Sequence, residues 1–249
     1  MRRIIQSMSL AVLLLLALQA SAQTLRVAGA QFPRIFEQQG AGVFQGMGVE
    51  LVQELAQRLG YDVQFELYPW PRALHLVESG QADVLVGLYK TAEQEDRFLF
   101  AETPFYQDEM VFYARKGSFN WDGNISMLHR RKIGVVAGWV HTTPFDAIKG
   151  SLNLSTVENV ETGLRMLEFG RIDLLAADAR NAEPFLNRGP WSRRPVALKP
   201  SLGTQVGYLA FPRKPRFEAL RSDMDRVFQQ LQANGTLKRL ALKWSVALP

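Results

Sequence analysis

Two short stretches hold side chains able to do chemistry where a ligand could meet them. Tyr89 to Arg97 follows the apolar, β-branched run Ala82 to Leu88, which is broken only by Asp83, and Asp178 to Asn181 follows Leu174 to Ala177. In open α/β sheets ligands collect beyond the carboxyl ends of the strands. Asp178 offers a carboxylate there, suited to a cationic group or, equally, to capping the helix that follows it. Arg72 and Arg97 are charges near the same ends, although an arginine at a helix start or in an acidic loop is commonly surface. Trp139 follows the strand-end Gly138 and can supply an aromatic wall. Phe32 lies with Phe36 in a long loop, residues 30–47, where the rings either meet a ligand or pack the loop onto a sheet. His75, His129 and His141 lack metal-ligand spacing, so no metal site is expected, and no cofactor. The sequence has no Ser-His-Asp order, no glycine-rich phosphate loop and no cysteine.

The elements that must position these residues repeat. Ala73, Leu74 and Val77 give a short helical pattern behind Pro71, a residue favoured at a first helical position, and Gly80 ends it. The buried strand Ala82 to Leu88 follows. Ninety residues on, Glu168-Phe-Gly170-Arg-Ile-Asp173-Leu-Leu-Ala-Ala repeats Glu78-Ser-Gly80-Gln-Ala-Asp83-Val-Leu-Val-Gly. Two such units in register predict two similar lobes with the ligand site in the cleft between them. Around them, Thr24 to Gly29 and Tyr61 to Leu67 read as strands flanking an amphipathic helix over 48–59, with Val49, Val52, Leu55, Ala56 and Leu59 on one face. This βαβ order requires parallel strands covered by helices. Glu109 to Arg115, Lys132 to Val136 and Val206 to Phe211 are further strands, Val160 to Phe169 is a helix, and 181–195 reads as surface. Two terminal helices, 216–233 and 237–243, have no strand left to pair with and are expected to pack on the first lobe.

At the N-terminus, Arg2 and Arg3 precede the apolar run Leu10 to Leu18, and Ala20-Ser21-Ala22 closes it with small residues at the positions a signal peptidase reads. The run is too short to span a bilayer, so residues 1–22 are expected to be a secretory signal peptide, with a soluble periplasmic chain starting at Gln23. Loss of Arg2 and Arg3 takes the formal net charge from +5 to +3. The basic clusters Arg130-Arg131-Lys132 and Arg193-Arg194 carry no interleaved aromatics, which argues against nucleic acid as a partner.

In order and spacing, several motifs resemble the extracellular solute-binding proteins of family 3, which serve bacterial ABC importers of polar amino acids. They are Gly48-x-Glu50-Leu51-x-x-Glu54-Leu55, the two Gly-x-x-Asp units, Thr91-x-Glu93, Phe100-x-x-x-Pro104-Phe105-Tyr106, Lys132-x-Gly134-Val135, Asp173-x-x-x-x-Asp178 and Asn234-Gly235-Thr236-x-x-x-Leu240. The resemblance covers essentially all of the chain beyond residue 22. It implies an α/β, two-lobe periplasmic binding protein of type II, each lobe a mostly parallel sheet flanked by helices. Lobe 1 would be 23–107 plus 209–249 and lobe 2 would be 108–208, with crossings near 106–108 and 204–208. It also implies a monomer that closes on a small ligand and docks on a permease in the inner membrane.

The resemblance places Asp178 on the ligand ammonium and Trp70 at the head of a helix facing the cleft, either stacking on ligand or packing in the core. It also marks departures. Gln94 stands where the family's Thr-x-x-Arg turn puts an arginine on the ligand carboxylate, Gly87 and Tyr89 replace serines, and Gly138-Trp139-Val140 replaces a Gly-Thr-Thr. A neutral amide cannot neutralise a carboxylate as an arginine does, so either Arg72 or Arg97 reaches the ligand or the ligand lacks a carboxylate there. The expected function is capture of an amino acid or related amine-bearing solute, without catalysis. The alternative is an enzyme like the cyclohexadienyl dehydratases of the same fold, whose chemistry needs a cationic grip on carboxylate. A sensor domain for a membrane kinase is disfavoured, because no second long apolar segment follows residue 22.

Overall fold

Strands and helices alternate along the chain much as the hydrophobic periodicity requires. The computed structural model describes residues 23–40 and 42–249, so the expected signal segment lies outside the described residues. The first lobe opens with β1 (Thr24–Gly29), a small hairpin of β2 (Glu37–Gln39) and β3 (Val43–Gln45), α1 (Met47–Leu59) and β4 (Asp62–Leu67). It continues with α2 (Trp70–Glu78), β5 (Val84–Tyr89), α3 (Ala92–Arg97) and β6 (Phe98–Phe100). The long β7 (Tyr106–Arg115) leads into β8 (Lys132–Val136), α4 (Thr143–Ile148), β9 (Asn153–Val157), α5 (Val160–Glu168), β10 (Leu174–Asp178), α6 (Ala179–Arg188) and β11 (Pro195–Ala197). The equally long β12 (Gly203–Pro212) returns to α7 (Glu218–Ala233) and α8 (Thr236–Trp244).

Each lobe contributes three parallel strands, β4-β1-β5 in the first and β9-β8-β10 in the second. Between them run β7 and β12, antiparallel to each other and to their other neighbours, so one ten-stranded sheet passes through both lobes, eight strands in the order β4-β1-β5-β12-β7-β10-β8-β9 with β6 paired on β12 and β11 on β7. Side chains of successive strand residues point to opposite faces, and the second lobe shows it directly. Val111, Tyr113, Leu175 and Ala177 enter one apolar cluster, while Phe112, Ala114, Leu174 and Ala176 enter another on the opposite face. The first lobe's core joins residues from β1 to Tyr106 with β12, α7 and α8, whose Leu231, Leu237 and Leu240 are buried there.

The repeated Gly-x-x-Asp units fold alike. Gly80 and Gly170 both take positive φ, 76° and 69°, a conformation open to glycine at little cost. The chain then turns back so that Gln81 N–H bonds Leu76 O and Arg171 N–H bonds Met166 O, each at 2.8 Å. Asp83 Oδ2 accepts the backbone N–H of Arg26 on β1 at 2.8 Å, and Asp173 Oδ2 accepts that of Lys132 on β8 at 2.9 Å. Each aspartate thus sets the register between its own strand and the parallel neighbour.

Several boundaries differ from the sequence reading, among them the start of β12 at Gly203 rather than Val206. The 181–195 stretch is not all surface loop, because α6 extends to Arg188 through Pro184, at the cost of the hydrogen bond that Pro184 cannot donate. β7 begins at Tyr106 rather than Glu109, since Tyr106 to Asp108 pair with Gly207 to Gln205. The first terminal helix starts at Glu218, behind a 3₁₀ turn over Pro215–Phe217.

Candidate functional site

The carboxyl ends of β5 and β10 face each other across a cavity between the lobes, lined by Phe32, Trp70, Tyr89, Trp139, Asp178 and Asn181 with backbone from both sides. Phe32 is aimed by a tight turn in which its carbonyl accepts the N–H groups of Ile35 and Phe36 at 3.0 and 2.9 Å. Trp70 is the first residue of α2, immediately before Pro71, and is 8% exposed. Its indole N–H crosses the cleft to donate to Gly138 O at 3.2 Å. Phe32 packs on Trp70 with ring centroids 5.1 Å apart and meets Trp139 edge-on at 6.1 Å. Aromatic faces from both lobes therefore wall one side.

The other side is polar and deeply buried. Asp178, 1% exposed, ends β10. Its Oδ2 accepts from Asn181 Nδ2 at 3.0 Å and lies 2.9 Å from the Tyr89 hydroxyl, whereas Oδ1 has no hydrogen-bond partner among the described residues. The Tyr89 hydroxyl is also 2.8 Å from Asp108 Oδ2. One O–H cannot donate to two carboxylates at once, so the arrangement is satisfied when one carboxyl carries a proton. Asp178 is the group that keeps it. Burial above all, and then the charge of Asp108, push its pKa up to about 7, against the opposing pull of Arg180 and the hydrogen bonds from Tyr89 and Asn181. The same burial raises the Tyr89 and Tyr106 hydroxyls, which stay neutral.

Arg180 lies beside this acid without answering it. Its Nε and one terminal nitrogen fork onto Asp108, with Nε 2.9 Å from Oδ1, and its other terminal nitrogen bonds Pro33 O and, at 3.3 Å, Asn181 Oδ1. The ion pair fastens α6 to β7 and reaches the first lobe through Pro33. Arg34 pairs with Glu183 at the same seam. With the lobes so joined, the free space in the cavity is about 10 Å³, room for roughly one water molecule.

Of the side chains singled out in the sequence, Phe32, Trp70, Tyr89, Trp139 and Asp178 meet at this cavity. Asp178 immediately precedes α6 but makes no side-chain capping bond to it. Arg97 does not line the cavity. It forks onto Glu78 at 2.8 and 2.9 Å, as an arginine so close to a carboxylate on the neighbouring helix would. Arg72 is exposed on α2. Gln94 is buried, with its backbone N–H capped by Thr91 and its Oε1 unpartnered, and it does not line the cavity either. The sequence reading gave no role to Asp108, Asn181 or Arg180. Position alone signals the last two, which stand just past the carboxyl end of β10. No group of three or more metal-ligating side chains occurs among the described residues.

The sequence model of the bacterial extracellular solute-binding proteins, family 3, matches residues 25–247. The chain belongs to that family. This family member is 26% identical over 236 residues to the L-cystine-binding protein TcyJ of Bacillus subtilis, covering 90% of this chain and 84% of that one. It is 24% identical over 213 residues to the membrane-bound lytic murein transglycosylase F of Nitrosospira multiformis, covering 84% of this chain but only 43% of the transglycosylase. In structure it resembles a histidine kinase sensor domain similar to periplasmic binding proteins, with a TM-score of 0.81 at 21% identity over 92% of this chain and 99% of that domain. The fold is shared with that sensor domain. No helix among the described residues is long and apolar enough to cross a membrane.

Proposed function

We propose that this solute-binding protein captures a small amine-bearing solute, an amino acid or a related compound, between two lobes and delivers it to the permease of an ABC importer. Lobe 1 is 23–107 with 209–249, lobe 2 is 108–208, and the hinge lies near 106–108 and 204–208. The protein works as a soluble periplasmic monomer. One observation carries the reading: Asp178, buried and with a free carboxyl oxygen, lies at the meeting of two lobes whose aromatic rings complete the wall. A cation entering there displaces the proton Asp178 holds and gains a carboxylate and ring faces together. The L-cystine-binding relative supports an amino-acid-like ligand.

An acid with a pKa of about 7 also suits a general acid, which keeps the dehydratase-like reading in play. Against it, the cavity is lined by no arginine or lysine to hold an acidic substrate. A thermal-shift screen of the purified protein against amino acids, small peptides, polyamines and organic acids tests capture, since a ligand of the folded state raises its melting temperature. Each hit is then assayed for turnover. Unchanged ligand after prolonged incubation is the expected result, and product formation would install the enzyme instead.

A further inference from the structure

The capture reading leaves open which amines fit, and the charge around the cavity narrows the class. An amino-acid ligand brings a carboxylate as well as an ammonium, and a carboxylate removed from water needs a cation or several donors. Of the basic side chains nearby, Arg180 is committed to Asp108, Arg97 to Glu78 and Lys90 to Glu95 at 2.8 Å, while Arg72 is exposed on α2 and does not line the cavity. Lys90 and His141 line a separate opening rather than this cavity. The backbone stretch Gly138-Trp139-Val140 lines the cavity with an indole and an isopropyl group. What remains is one buried acid with a carboxyl oxygen that has no partner among the described residues, aromatic faces, and a cavity of ammonium size that they line together.

Resting on the capture reading, we propose that the ligand is a primary ammonium cation with an apolar or aromatic body and no carboxylate. The ammonium head takes the cavity that Asp178 lines and reaches Oδ1 as the lobes part. The body replaces the contacts that Phe32, Trp70 and Trp139 now make with one another, which requires the lobes to part. Trp139, half-buried at the second lobe's edge, is the ring best placed to move. A carboxylate on the carbon bearing the ammonium would have to lie near the acid Asp178, among rings and a valine, with no counter-charge.

Matched pairs test this in calorimetric titrations of the purified chain: tryptamine against tryptophan, phenethylamine against phenylalanine, isoamylamine against leucine. At least one amine is expected to bind tenfold or more tightly than its parent amino acid. Asp178→Asn, which keeps the shape of the side chain, should cut that amine's affinity at least tenfold while the variant retains the wild-type far-ultraviolet circular dichroism spectrum. Amino acids that bind as tightly as their amines, an unaffected Asp178→Asn variant, or no binding by any pair would overturn the proposal. In the first case the capture reading stands. It falls with the proposal only if the wider thermal-shift panel is also without a hit.

Discussion

Asp178 sets burial against charge, and that conflict has a consequence for stability. An ordinary aspartate has lost its proton well below neutrality, while in the fold this one keeps its proton up to about pH 7. Between about pH 3.8 and pH 7 the folded chain therefore holds a proton that the unfolded chain has released. By linkage, stability falls as pH rises through that window and levels off above it. Asp178→Asn removes the ionisation, so the variant should gain on wild type with rising pH, by roughly 3 kcal/mol between pH 4.5 and pH 8. Urea denaturation of both proteins at pH 4.5 and pH 8 measures the difference, and a gap that does not change with pH would contradict the assignment. The carboxylate of Asp178 was legible from its place at a strand end. Its environment was not: Asp108 lies seventy residues upstream and Arg180 binds it from the next helix, and no local pattern couples such distant partners. Arg97 misled for the converse reason, since its proximity in sequence to Tyr89 says nothing of Glu78, which holds it.

The two Gly-x-x-Asp units were legible because both of their devices are local: a glycine that takes positive φ to end a helix, and an acid three residues on. Each acid satisfies a backbone N–H at the start of the adjacent parallel strand, β1 in one lobe and β8 in the other. Asp83→Ala and Asp173→Ala should each lower stability by about 1–2 kcal/mol, the usual effect of losing a hydrogen bond to a charged group. The midpoints of denaturant unfolding report this, and Ala variants as stable as wild type would show that water replaces the aspartates freely. α6 was hidden for a physical reason. Pro184 inside it, with the Arg-, Gly- and Pro-rich segment beyond, has the composition of a loop, yet only its first turn is needed to bring Asn181 to the cavity and Arg180 to Asp108, and this precedes the proline.

The contacts that hold the lobes together, Trp70 to Gly138, Arg180 to Pro33 and Arg34 to Glu183, leave space for little more than an ammonium group. Any larger ligand must enter an opened form and then stabilise closure through contacts on both sides. Where the free chain populates that opened form in solution, small-angle scattering should give a radius of gyration that shrinks when a binding amine is added, and no change at saturation would argue against a clamp. The lobe arrangement could be anticipated from the internal repeat, and the family resemblance offered crossings near 106–108 and 204–208, but the pairing of β7 with β12 along their length could not be foreseen, because strand pairing across about a hundred residues leaves no local trace. The joint is β7 against β12, with Met110 to Tyr106 bonded to Gly203 to Gly207 and Gln107 further tied to Ala247 near the C-terminus. A hydrogen-bonded ribbon of this kind has no free pivot. It yields by sharing a small change of twist among many backbone torsions, as a torsion bar does, so a parting of the lobes would be spread along both strands rather than turned at one residue.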